Sequence, residues 1–178
     1  AERARQLEEI LGADVYATTR EDLAVTVGRW LAARGATVAV AESCTGGLIL
    51  QRLTSVPGCS AWVRGGVVAY ANDVKTSILG VSEALLREHG AVSEPVARAM
   101  AAAIREKLGA DFGLATTGIA GPSGGTPEKP VGLVWWALAD SRGTMARSRR
   151  FAGDREIVRQ WAAQFTMDLL RRRLQNLV

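Results

Sequence analysis

The sequence is short of the residues on which most catalytic and metal chemistry is built. It has a single histidine, His89, and two cysteines, Cys44 and Cys59. Two cysteines make no disulfide framework, and one histidine without a C-x-x-C pair excludes the standard zinc patterns. Lysine is equally scarce: Lys75, Lys107 and Lys129 stand against nineteen arginines. No apolar run approaches the ~18 residues of a transmembrane helix. The opening stretch AERARQLEEILGAD has neither the apolar core nor the cleavage signature of a secretory signal. The expected compartment is the cytoplasm, a reducing one, with no membrane partner and no metal.

What is present is ordinary globular composition. With 178 residues, 48% hydrophobic and 22% charged, the chain matches one domain able to bury roughly 70% of its unfolded surface. Its net charge is +4, with basic clusters at Arg147, Arg149, Arg150 and at Arg171, Arg172, Arg173. These clusters have two readings: a surface for nucleic acid or a phosphorylated ligand, or solvated helix and strand faces. Acidic residues are scattered among the bases and no nucleic-acid motif occurs, so nucleic acid is not an expected partner.

Residues 1–18 carry a short helical pattern (Leu7, Ile10, Leu11) ending near Gly12. Since the first residue is Ala1 and not Met, this segment reads as a lead-in from a longer parent chain, with the domain proper over 19–178. Thr19 reads as an N-cap for a helix through Leu23, Val27, Trp30 and Leu31, stopped by Gly35. Thr37–Ala41 is a β-prone run, and the helix LILQRLTSV follows the turn ESCTGG. A second strand is expected over Val67–Tyr70, after Gly65 and Gly66. Short helices over Asn72–Leu79 and from Ser82 to His89 follow, then a longer one from Ser93 to about Leu108. Strands are expected over Phe112–Thr116, Val131–Leu138 and Ala146–Phe151, and Asp154 opens a C-terminal helix. Trp135 and Trp136 fall on opposite faces of their strand, one to cover a helix and the other to meet a partner subunit. Strands alternating with helices predict a three-layer α/β/α sandwich around a mostly parallel or mixed central sheet.

Three constellations could carry chemistry. In ESCTGG, glycines between strand and helix let the backbone approach a ligand, and a helix start offers free N–H groups. Ser43 is then either a nucleophile beside an oxyanion hole or, like Thr45, a plain N-cap. Cys44 is either a rival nucleophile or a small buried residue. The loop TGIAGPSGGTPEKPVG leaves the end of a strand, where open α/β sheets bind ligands. Finally, YANDVK supplies Lys75 near a strand end. His89 sits in a helix's last turn, so a Ser-His-Asp triad is disfavoured. A neutral Lys75 is the alternative base, with Tyr70 to relay or orient the proton; its other reading is an ordinary salt-bridged helix residue.

AESCTGG (41–47), GGVVAYANDVK (65–75), GAVSEPVARAMA (90–101) and TGIAGPSGGTPEKPVG (117–132) together resemble the C-terminal domain of the CinA (competence/damage-inducible) family, over roughly residues 20–175. The resemblance implies a nicotinamide-nucleotide amidase, which converts nicotinamide mononucleotide and water to nicotinate mononucleotide and ammonia in pyridine nucleotide recycling. By motif, Ser43 matches the nucleophile and Lys75 its general base, while Tyr70 and Thr117 match hydroxyl residues that complete the site. Backbone groups of Cys44, Thr45, Gly46 and Gly47 would hold the oxyanion; Gly118, Ile119, Ala120 and Gly121 would bind substrate. The resemblance implies no cofactor, a homo-oligomer, and in longer members a fused N-terminal molybdopterin-binding-like domain. Two other functions remain open: a catalytically silent nucleotide-binding module, and an interaction partner in competence or DNA damage.

Overall fold

The computed structural model describes residues 2–178, apart from the side chains of residues 2, 4, 5, 7 and 8; Leu7 of the expected helical pattern lies outside the described side chains. The elements are α1 (Glu2–Leu11), α2 (Leu23–Arg34), β1 (Val38–Glu42), α3 (Leu48–Thr54), β2 (Val63–Val68), α4 (Asn72–Ser77), α5 (Glu83–His89), α6 (Glu94–Lys107), β3 (Phe112–Gly118), β4 (Leu133–Asp140), β5 (Gly143–Arg150) and α7 (Arg155–Leu174). Among them no helix is long and apolar enough to cross a membrane.

The five strands form one mixed sheet in the order β2-β1-β3-β4-β5. β1 runs parallel to β2 and β3, whereas β3, β4 and β5 are successively antiparallel. Period-two alternation along each strand separates two cores. Val38, Val40, Leu114, Val134, Trp136 and Leu138 face α2, α3 and α7. Ala39, Ala41, Ala115, Ala137 and Ala139 face α6. The expected three-layer sandwich is thus present, with large side chains in one layer and alanines in the other. Trp136 stacks with Phe151 and meets Phe165 at a tilt, and Trp135 packs on the α6 side, so both rings lie against this chain's own core.

Two expected boundaries are corrected by physical detail. The cap of α2 is Asp22, whose carboxylate accepts from the Ala24 N–H at 2.8 Å, and not Thr19. The second strand begins at Val63, so Gly65 and Gly66 lie inside it. In parallel pairing a Cβ on Gly66 would meet the Val40 carbonyl oxygen at 2.3 Å; here glycine serves close approach of two strands and not a turn.

The arginine clusters also separate. Arg171 is 1% exposed and bonds Asp168, Gln175 and the Ala13 carbonyl. Arg172 bonds Asp168 and Asp14, and Arg173 bonds Asp140. That triad fastens α7 to the rest of the domain. Arg147, Arg149 and Arg150 stay exposed on the edge strand β5.

Candidate active site

The carboxyl ends of β1, β2 and β3 lie side by side, and each is followed by one of the three constellations. Ser43 leaves β1 with its N–H on the Thr116 carbonyl of β3, at 3.1 Å. The Thr45 and Thr116 hydroxyls, both fully buried, are 2.8 Å apart. Arg159 of α7 donates to the Thr45 carbonyl from Nε at 3.3 Å and Nη2 at 3.0 Å. At Gly47 the chain turns into α3 through φ +94°, a conformation that excludes most side chains.

Lys75, on α4, is 1% exposed. Its Nζ lies 3.2 Å from Ser43 Oγ, 2.8 Å from the Ala69 carbonyl oxygen and 3.0 Å from that of Tyr70. Nζ donates to the two carbonyls and reaches the Ser43 hydroxyl oxygen. Burial pushes the Lys75 pKa down from the ordinary lysine value, opposed in part by the neighbouring Cys44. Lys75 is therefore not a salt-bridged surface residue.

Cys44 is buried, and its thiol is pushed up to about 12, chiefly by burial. A thiol in that state holds its proton at neutral pH and is a poor nucleophile. A Cβ on Gly118 would stand 3.0 Å from Cys44 Sγ, which shows how closely the start of the second glycine loop lies against the first.

The structure revises the expected roles of several groups. The helix start is not free, because the Glu42 carboxylate accepts from the N–H groups of Gly47 (2.9 Å), Ile49 (3.2 Å) and Leu50 (2.9 Å). Gly46 N–H is spent on the Ser43 carbonyl, and Ile119 N–H on that of Leu133. Among the described residues, no backbone carbonyl outside the regular helices and strands takes the N–H of Cys44, Thr45, Ala120 or Gly121. The Tyr70 hydroxyl lies 2.8 Å from Arg155 Nη2, and the Thr117 hydroxyl donates to the Ala91 carbonyl at 2.7 Å. Neither hydroxyl stands between Lys75 and Ser43, which touch directly.

Three residues went unassigned in the sequence reading: Glu42, Arg155 and Arg159. Arg155 joins the second and third constellations, since its Nη1 also donates to the Gly121 carbonyl at 2.9 Å. A signal for the arginines exists. They stand four apart in the first turns of α7, where the helix dipole disfavours cations; Arg159 is paired there with Glu156 of the same helix and also reaches out to Thr45, and Arg155 reaches out to Tyr70 and Gly121.

Residues 20–174 match the family model of the CinA C-terminal domain. The CinA-like protein of Gloeobacter violaceus is 51% identical over 172 residues, which take in 96% of this chain and 40% of that protein. This chain therefore spans about two-fifths of the length of that curated relative. A crystal structure of a competence-damaged protein (CinA) superfamily protein from Klebsiella pneumoniae aligns with TM-score 0.84 and 36% identity, covering 86% of this chain and 96% of that one. Another superfamily member, from Escherichia coli, aligns with TM-score 0.82 and 32% identity, covering 90% and 97%. With its fold, its motifs and nearly its whole length in agreement, this chain belongs to the CinA C-terminal domain family.

Proposed function

We propose that this domain is an amidohydrolase that converts nicotinamide mononucleotide and water to nicotinate mononucleotide and ammonia by a Ser-Lys mechanism. The observation that carries this reading is the buried Lys75 amine, 3.2 Å from the Ser43 hydroxyl. A silent binding module has no use for such a pair.

Neutral Lys75 takes the Ser43 proton as Oγ bonds to the carboxamide carbon. The carbonyl oxygen becomes an oxyanion, and the Cys44 and Thr45 N–H groups are the uncommitted donors of the turn. The Lys75 ammonium returns a proton to the departing nitrogen, and ammonia leaves as the carbon–nitrogen bond breaks. Water, losing its proton to Lys75, then attacks the acyl-enzyme; the acid is released and Ser43 regains its hydrogen. The Arg155 guanidinium and the Ala120 and Gly121 N–H groups supply cationic and donor partners for the phosphate.

The relatives' name also suggests a role in competence or DNA damage. Against a DNA partner stands the internal use of Arg171, Arg172 and Arg173, which leaves the β5 arginines as the remaining cluster.

The test is ammonia release from nicotinamide mononucleotide, in EDTA, by wild type and Ser43→Ala. Release by the wild type that the variant loses is the expected result. A folded wild type that releases none, yet is stabilised against heat by the mononucleotide, would make the domain a binding module.

A further inference from the structure

We propose that Glu42 is a positioning residue for the nucleophile: its carboxylate clamps the two ends of the Ser43 turn together and reserves the Cys44 and Thr45 N–H groups for the reacting oxygen. This inference rests on the amidase reading for its chemistry, but its structural half does not.

Glu42 is the last residue of β1 and directly precedes Ser43. It is fully buried, and among the described residues no cation bonds it. Its described partners are three backbone N–H groups, with Oε2 accepting from Gly47 and Ile49, and Oε1 from Leu50. A buried carboxylate is costly unless it is fully hydrogen-bonded, so this arrangement demands all three. α3 has seven residues, too few to hold its own first turn without help. An ordinary cap would come from the residue just before the helix. Here that residue is Gly47, which has no side chain to offer, and the cap arrives from five residues upstream, across the turn.

The route of the chain makes the clamp mechanical. Residues 43–46 form a short arch whose feet are Glu42 on β1 and Gly47 at α3. Thr116 and Arg159 pin the middle of the arch to β3 and α7. Only the Glu42 carboxylate, among the side chains described, ties the arch to α3. Without it Ser43 Oγ would lose its fixed distance to Lys75, and the Cys44 and Thr45 N–H groups their common direction. Sub-ångström placement of nucleophile and donors is what such sites require. The carboxylate also fills the electropositive start of α3, so that an anionic group of the substrate is not drawn there and away from Ser43. Its negative charge adds to the burial that keeps the Cys44 thiol protonated, so serine and not cysteine is the available nucleophile.

The test compares Glu42→Gln and Glu42→Ala with wild type, all at a temperature well below their unfolding midpoints. Two measurements are made: kcat and KM for ammonia release from nicotinamide mononucleotide, and amide hydrogen exchange. Glu42→Gln keeps the shape but turns one amide donor toward another donor. It is expected to lower kcat about 10-fold with KM within twofold. Glu42→Ala is expected to lower kcat about 100-fold, and tens of millimolar formate should recover a substantial part of it, leaving wild type and Ser43→Ala unaffected. Exchange at Gly47, Ile49 and Leu50 should quicken in Glu42→Ala and slow again in formate. A purely structural cap would lower the melting temperature and leave kcat within twofold; that result, or unchanged exchange over 43–50 in a folded Glu42→Ala, overturns the proposal. If wild type releases no ammonia while the exchange and its reversal by formate are as expected, the amidase reading fails and the clamp stands. Should Glu42→Ala not fold, Glu42→Gln alone decides by its kcat against its KM.

Discussion

The two glycine-rich stretches at the sheet's carboxyl edge look alike in sequence and are built in opposite ways. In the 42–47 turn, residues 42–45 are buried and Gly46 is exposed, and the turn is fastened by Glu42, Thr116 and Arg159. The 119–132 loop has its tip, Pro122–Glu128, in solvent. Its base is bonded by Ile119 with Leu133 and Gly132, by Gly132 with Phe151, by Val131 with Arg150 and by Gly121 with Arg155, whereas the tip has Thr126 with Lys129, and Lys129 Nζ on the His89 carbonyl at 2.5 Å. Glycine and hydroxyl content therefore does not distinguish a buried, fastened turn from a loop with an exposed tip. What distinguishes them is where the N–H groups are spent. Substitutions in the turn should act on kcat, and substitutions around the loop should act on KM.

The sharpest division lies between neighbours in the turn. Ser43→Ala should abolish ammonia release, by at least about 10³-fold, while Cys44→Ala, which removes a protonated buried thiol, should stay within about threefold. Equal losses in both would mean that the turn acts as a structural unit and not through the serine. Next in size is Lys75→Met, expected to cost about 10²–10⁴-fold in kcat. In wild type, kcat/KM should rise with pH along an acid limb set by the Lys75 pKa, below the ordinary 10.5. The stability sign follows by linkage. Burial lowers the pKa in the folded state, so between that value and 10.5 the unfolded chain binds more protons, and stability rises with pH. Urea unfolding across this range should show the rise in wild type and its loss in Lys75→Met.

Much of this was legible in the sequence, for local reasons. The Ser82 and Asp154 caps and Gly35 at the end of α2 are set by nearest neighbours, and each is where the pattern places it, while β2, β4 and β5 exist as expected with shifted ends. Ser43 and Lys75 could be paired because a chain with one histidine and three lysines leaves few alternative bases. The missing parts are contacts between distant segments. Nothing local tells that the Glu42 side chain folds back over its own turn to cap α3, or that Arg155 reaches Tyr70, 85 residues away. Composition also could not divide the arginine triads, since burial of Arg171 depends on Ala13 and Asp168 coming to the same place.

Arg155 ties the loop to the segment that carries Lys75, bonding Gly121 and the Tyr70 hydroxyl. If it serves the phosphate, Arg155→Gln should raise KM for the mononucleotide about 10-fold with kcat changed severalfold at most. The loss should be much smaller for the uncharged riboside if that is turned over at all. Tyr70→Phe, which removes one of two anchors of the guanidinium, should move KM in the same direction by less. Steady-state kinetics on both substrates checks this, and a fall in kcat alone would place Arg155 with the turn.

The smallest effect is expected at Lys129, and it bears most directly on whether the loop is compliant. Its ammonium is the one described side-chain bond from the loop to α5, donating to a carbonyl in the last turn, where the helix dipole favours a cation. Lys129→Ala should free the Thr126–Lys129 corner without touching the 43–47 turn, because among the described residues the two stretches share no hydrogen bond, the Gly121 carbonyl being bonded by Arg155 of α7. Amide exchange should quicken over 120–132 and stay unchanged over 43–50. KM should rise about two- to threefold with kcat constant, since a looser loop binds substrate less well and leaves the reacting groups in place. Quickened exchange that spread into the turn would show the two stretches to be one cooperative unit. The division between a rigid turn and a compliant loop would then have to give way to a single site that opens and closes together.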